Sequence, residues 1–519
     1  MSNKQTADIL LRSTAIFTAT DTPLVNGYIA VSGNRILSVG TGDGCEFISP
    51  ETKTYDLGDK VICPGFSDVH CFFTGFVTGY AGVDISPAVN ITEAIHSLKE
   101  IPLFNGTLVL GHGWNMEAFP NDSSTLQAIE DAFGSTPVIL FEKGGETCIL
   151  NKPAMDAYRF TPDTCYPESY WRLLKEGLSN REFIIPAFKD YMAMLNGRGI
   201  TSVKEMGFDD FYGFTDILEE LENSSQLTLR VNFMSQPVGA DANMQYGLEM
   251  RDRFHGDFVR FSGFNKMTDG SVSQLCADLK EPYTCSPGLY CDQEIDYEKI
   301  EQEVLAADKL GFRFSLHAQG DAAIHKAIKI FDKCQKKPDG KLLNRHSITD
   351  LEFSDPGDLE RMGELGIVAE IYPQIQAIAE RNSKLAMIEE KIGKERGRYY
   401  WNRRKMADSN VTISCATDLP LLIDNIPESI YHACGGWFPE GGEPYNKENT
   451  LTVSELLTAW TRGGAYNLSC ENTLGTLEEG KRADIAVLSE NIFETALEDV
   501  RRVRVDLTFV DGVPVYQRL

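Results

Sequence analysis

Five polar side chains of this chain fall where apolar runs stop: His70 after VICPGFSDV, Lys266 in FSGFNKMTDGS, His317 in FRFSLHAQG, Asp350 in HSITD and Asp418 in VTISCATD. Two imidazoles, two carboxylates and an amine in such places could build a metal site. Imidazole nitrogen and carboxylate oxygen bind divalent ions, and a neighbouring carboxylate can take a proton from activated water. Each residue also has a plainer role open to it. A lone histidine can be a satisfied core residue, an aspartate after a strand can cap the next helix, and Lys266 can pair with Asp269. Recurrence at the ends of successive strands favours the shared site. A lysine late in an apolar strand adds to that, because burying an ammonium is costly unless it is paired or chemically altered. A strand ending in His-x-His would present two imidazoles on one face, but the second position here is Phe72.

Such residues meet only if the strands that carry them end on the same side of one sheet. The strand candidates LVLGHGW, PVILFEKG, ITSVKEM, RVNFMS, RFSGFNKMT, FRFSLHAQG, GIVAEIYP and VTISCATDLP alternate with amphipathic helices such as YEKIEQEVLAADKLG and AAIHKAIKIFDKC. That alternation predicts an α/β fold, a (β/α)8 TIM barrel, whose catalytic groups sit at the C-terminal ends of the strands. No glycine-rich dinucleotide fingerprint follows a strand, which disfavours a doubly wound sheet. Short alternating strands fill both ends of the chain, so the expected organisation is a β-sandwich from residues 1–60 and 468–519 around a barrel at 61–467. The basic, aromatic run EEKIGKERGRYYWNRRK (389–405) reads as a solvated helical face, with a pocket cover or subunit contact as the alternative.

The net charge of −27 disfavours nucleic acid and anionic membranes as partners. No run approaches the roughly 18 apolar residues of a spanning helix. Twelve cysteines without a CxxC pair suit a reduced, cytoplasmic setting. The expected partner is a small-molecule substrate, and the expected assembly a homodimer.

Several motifs together resemble the amidohydrolase superfamily, in particular the amidohydrolase-3 group with its YtcJ-like proteins and N-substituted formamide deformylases. They are PGFSDVH (64–70), GWN (113–115), GITSV (199–203), Lys266 with DGS (269–271), EPY (281–283), HAQGDAA (317–323), DLP (418–420) and GTLEEGKRAD (475–484). The resemblance implies a metal-dependent barrel with His70 as first ligand, Lys266 as a carboxylated lysine, His317 and Asp418 as further ligands, and Asp418 as general base. Three positions depart from the pattern. Phe72 replaces a ligand histidine, Asp350 stands where another histidine is expected, and Glu146 stands at a substrate-side histidine position.

On this reading the metal set is His70, Lys266, His317, Asp350 and Asp418, and the catalytic set is Asp418, His317 and Asp350. Phe72, Trp114, Glu146, Asp269 and His346 are the substrate-side candidates. The expected cofactor is a divalent ion (zinc, manganese or iron), one rather than two. The expected reaction is hydrolysis of a C–N bond in a small amide, cyclic amide or formamide-like compound by metal-activated water. The alternatives are a barrel isomerase or lyase that works by carboxylate and histidine proton transfer, and an inactive binding homologue.

Overall fold

The computed structural model describes residues 6–21, 25–142, 147–165, 173, 175, 177–206, 214–237, 240–419 and 425–518. The chain forms two compact units: Met1–Cys71 with Met192–Gly207 and Glu222–Leu519, and Phe72–Tyr191 with Phe208–Leu221.

In the first unit, eight parallel strands follow one another around a barrel. They are β1 (Phe66–Cys71), β2 (Ile200–Glu205), β3 (Arg230–Ser235), β4 (Val259–Met267), β5 (Phe314–Ala318), β6 (Ser347–Asp350), β7 (Val368–Ile371) and β8 (Thr412–Cys415). Most of their residues are buried, as a parallel sheet covered by helices requires. The ring closes where the Asp418 N–H donates to the His70 carbonyl at 2.9 Å and Cys71 bridges Leu419. Asp68 of the PGFSDVH motif reinforces that seam, accepting from the Thr417 N–H at 3.0 Å and its hydroxyl at 2.5 Å.

A mixed sheet draws on both ends of the chain, in the order Val513–Gln517, Val505–Val510, Ile485–Leu488, Val61–Pro64, Ile9–Ile16, Val25–Ser32 and Arg35–Thr41. Leu11, Ile29, Ile62, Val487 and Phe509 share its core. Asp484, from the GKRAD motif, ties this sheet to the barrel through both carboxylate oxygens, each 2.9 Å from the Arg230 guanidinium.

The second unit corrects two strand assignments. Val109–Trp114 and Val138–Glu142 lie outside the barrel, in a four-stranded sheet with Cys148–Leu150 and Val83–Asp84. This unit interrupts the span read as continuous barrel. The run at 389–405 is also not a solvated face: Tyr400 and Trp401 are buried in one core cluster with Tyr372 and Phe438. Among the described residues no helix is long and apolar enough to cross a membrane.

Candidate active site

His70, His317, Asp350 and Asp418 end β1, β5, β6 and the turn after β8, so the barrel carries all four at its C-terminal end. His70 Nε2 stands 3.7 Å from Asp418 Oδ1, and His317 Nε2 stands 3.1 Å from Asp350 Oδ2. Gln319 Nε2 also donates to Asp350 Oδ2, at 2.5 Å. Asp350 and Asp418 both lie in the left-handed region, with φ of 81° and 53°. Non-glycine residues are held there at a cost, and such strain clusters at functional sites.

Electrostatics divide the four groups. Burial pushes the His70 imidazole down to about 3, offset only in part by Glu370. Burial alone would lower His317 as well, but the Asp350 carboxylate lifts it to about 9. Burial, followed by repulsion from Asp350, raises Asp418 to about 7. The strand ends thus carry a proton-holding imidazole and a carboxylate of raised proton affinity.

Lys266 does not join them. Its ammonium points out of the barrel to Glu303 Oε2 at 2.6 Å, while Asn265 is buried and bonds Gln236 at 2.8 Å. The cause is a bulge in β4, where the pairing register with β3 slips between Phe261 and Phe264 around Gly263 (φ 114°). One extra residue exchanges the two faces of a strand.

Two substrate-side candidates, Asp269 and His346, spend their bonds on the scaffold. Asp269 is used by backbone: it accepts N–H groups from Gln319, Gly320 and Asp278, each at 2.9 Å, and so fixes the loops after β4 and β5. Gly320 of HAQGD is needed in the same place, since a Cβ there would sit 2.1 Å from the Asp278 carbonyl oxygen. His346 precedes β6 and is fully buried, accepting from the Phe314 N–H at 3.1 Å through Nδ1 and bonding Asp308 at 3.0 Å through Nε2. Trp114 is buried in the second unit, its indole N–H donating to the Phe119 carbonyl at 2.8 Å. Phe72 is half-buried ahead of the helix Phe73–Tyr80. Glu146 lies outside the described residues.

The sequence reading missed the charges inside the barrel. Lys204 on β2 and Glu370 on β7 form an ion pair with neither side chain exposed, and Arg313 joins it at 3.2 Å. Burial lowers Lys204 to about 7 against the pull of Glu370. The available signal was a single charge inside each of two apolar strands, ITSVKEM and GIVAEIYP.

A profile of the amidohydrolase family matches residues 53–516. The chain belongs to this family. It is 24% identical to the protein LONG AFTER FAR-RED 3 of Arabidopsis thaliana, over 98% of this chain and 92% of that protein. It is 22% identical to an N-substituted formamide deformylase of Arthrobacter pascens, over 94% of this chain and 95% of the enzyme. An uncharacterized metal-dependent hydrolase from Pyrococcus furiosus has the same fold, with a TM-score of 0.76 at 20% identity, covering 94% of this chain and 100% of that one.

For this amidohydrolase the donors that face one another across the barrel seam are His70 and Asp418. Two donors on a tetrahedral ion, with bonds of about 2.1 Å, stand roughly 3.4 Å apart, close to the 3.7 Å between His70 Nε2 and Asp418 Oδ1. Asp350 Oδ1 is buried with no hydrogen-bond partner among the described residues, as an oxygen awaiting a ligand would be, and His317 Nδ1 is buried without such a partner as a free N–H donor. Among the described residues, no third imidazole, carboxylate or thiol donor lies within 4.8 Å of both His70 and Asp418.

Proposed function

We propose that this protein is a metal-dependent hydrolase that cleaves a C–N bond, amide, cyclic amide or formamide-like, in a small molecule. The observation that carries the reading is the His70–Asp418 pair, 3.7 Å apart across the barrel seam of an amidohydrolase. His70 and Asp418 would hold one divalent ion (zinc, manganese or iron), and Asp350 is the next donor. When bound, such an ion polarises a carbonyl and makes water acidic enough to attack at neutral pH. Asp418 takes the proton from the attacking water at its carboxylate. His317, fixed through Nε2 by Asp350, keeps its Nδ1 proton for the leaving nitrogen, which must be protonated to depart. Gln319 holds Asp350 in place, and Asp269 keeps the loops around both residues in register.

A second reading follows from the missing third donor. Asp418, His317 and Asp350 could instead move protons within a substrate, as an isomerase or lyase does. Elemental analysis of protein purified without chelator separates the two. About one equivalent of metal, absent from His70→Ala and Asp418→Ala variants, is expected for the hydrolase and would justify screening amides, lactams and formamides. No metal after incubation with excess zinc and manganese would overturn it and leave proton transfer as the reading.

A further inference from the structure

Glu370 and Lys204 are an expensive pair to keep, because a buried ion pair stabilises a fold little more than apolar residues of the same volume. Their arrangement around His70 supplies a reason. Glu370 Oε1 accepts from Lys204, from Arg313 at 3.2 Å, from Ser315 at 3.2 Å and from Asn467 at 3.0 Å. Glu370 Oε2 accepts from the Thr349 hydroxyl at 2.5 Å and lies 4.0 Å from His70 Nδ1, too far for a hydrogen bond but near enough for its charge to act on that nitrogen. The opposite edge of the same imidazole faces Asp418 through Nε2. The ring also packs edge-on to Tyr372, with centroids 5.8 Å apart.

A neutral imidazole carries its single proton on one nitrogen, and a neighbouring acceptor decides which. Among the described groups, the Glu370 carboxylate faces Nδ1 and the Asp418 carboxylate faces Nε2. Glu370 is wholly buried and pinned by five donors, so its field acts at low dielectric, whereas the Asp418 side chain is 20% exposed and partly screened by water. We propose that Glu370 is a positioning residue: it holds the His70 proton on Nδ1 and so leaves the Nε2 lone pair turned toward Asp418, ready for a cation. Lys204 and Arg313 keep Glu370 ionised in the barrel interior. A ligand histidine backed by a carboxylate on its other nitrogen is a general device of metal sites, and losing the carboxylate weakens metal binding about 10- to 100-fold. The proposal rests on the reading of His70 as an ion-holding residue, but the orientation it predicts exists without any ion.

The test is long-range ¹H–¹⁵N correlation on zinc-free protein labelled at its eight histidines, with the His70 signals identified by their loss in His70→Gln. The wild type is expected to show the Nδ1–H tautomer, and Glu370→Gln to lose that preference. Should Glu370→Gln not fold, Lys204→Met combined with Glu370→Gln removes both buried charges together and is expected to give the same loss. An Nε2–H tautomer in the wild type, or an Nδ1–H tautomer that survives neutralising Glu370, would overturn the proposal. Calorimetric titration with zinc chloride is read separately, with an expected weakening of about 10-fold or more in the variants. Tautomer loss in a protein whose wild type binds no zinc would uphold Glu370's positioning role and sink only the metal reading.

Discussion

Two lysines in this chain have opposite fates, and substitution should expose the difference. Lys266 makes one part-exposed bond to Glu303, so Lys266→Ala is expected to cost at most about 1 kcal/mol and to leave metal content unchanged. Lys204 is wholly buried against Glu370, so Lys204→Ala is expected to cost about 3 kcal/mol or more in urea unfolding. Metal loss in Lys266→Ala would restore that residue to the site. His432 gives a pH test at a residue outside the candidate site. Its Nδ1–H donates to the Trp437 carbonyl at 2.8 Å, its Nε2 is buried without a hydrogen-bond partner among the described residues, and burial pushes its pKa down from 6.5 to about 4. The unfolded chain therefore binds a proton that the folded one refuses between those values. Stability from this residue is intact above 6.5 and falls as pH drops toward 4, by about 3 kcal/mol. His432→Gln lacks this penalty, so its stability deficit relative to wild type should shrink by about that amount between pH 7 and 4. A deficit that does not change with pH would mean His432 titrates normally.

Among the elements, β4 holds the most informative detail. Gly263 adopts φ 114°, and a Cβ there would meet the Arg313 carbonyl oxygen at 2.4 Å. Gly263→Ala is expected to destabilise the protein by about 3 kcal/mol, combining backbone strain with overpacking; a loss below 1 kcal/mol by chemical denaturation would show that the bulge relaxes freely. This bulge also explains why the sequence misled at Lys266. Alternation assigns faces only while register is unbroken, and a single glycine in FSGFNKM does not announce a slip. The barrel strands themselves were legible as apolar runs between helices. LVLGHGW and PVILFEKG were not separable from them, because Val109–Trp114 and Val138–Glu142 also pair in parallel and carry the same local pattern.

At the scale of the whole molecule, the two ends of the chain are one structural commitment. Val61–Pro64, which runs directly into β1, pairs on one side with Ile9–Ile16 and on the other with Ile485–Leu488. Ending the chain before Asp484 would strip that strand of a partner, leave Arg230 without its bidentate acceptor and uncover Ile62 and Ile29. The truncated protein is expected to be insoluble or unfolded by far-ultraviolet circular dichroism; a native spectrum would show that the barrel stands without the mixed sheet. The amino-acid sequence alone determined the alternation that makes the barrel, the joining of the two ends, and the placing of two histidines and two aspartates at strand ends. Those features depend on local periodicity and on chemistry written into short segments. Tertiary structure alone decided that Asn265 and not Lys266 turns inward, that Asp269 and His346 spend their bonds on backbone and on Asp308, and that Lys204 meets Glu370 from 166 residues away. Those outcomes depend on register and on which distant partner a buried charge finds, and no single segment holds that information.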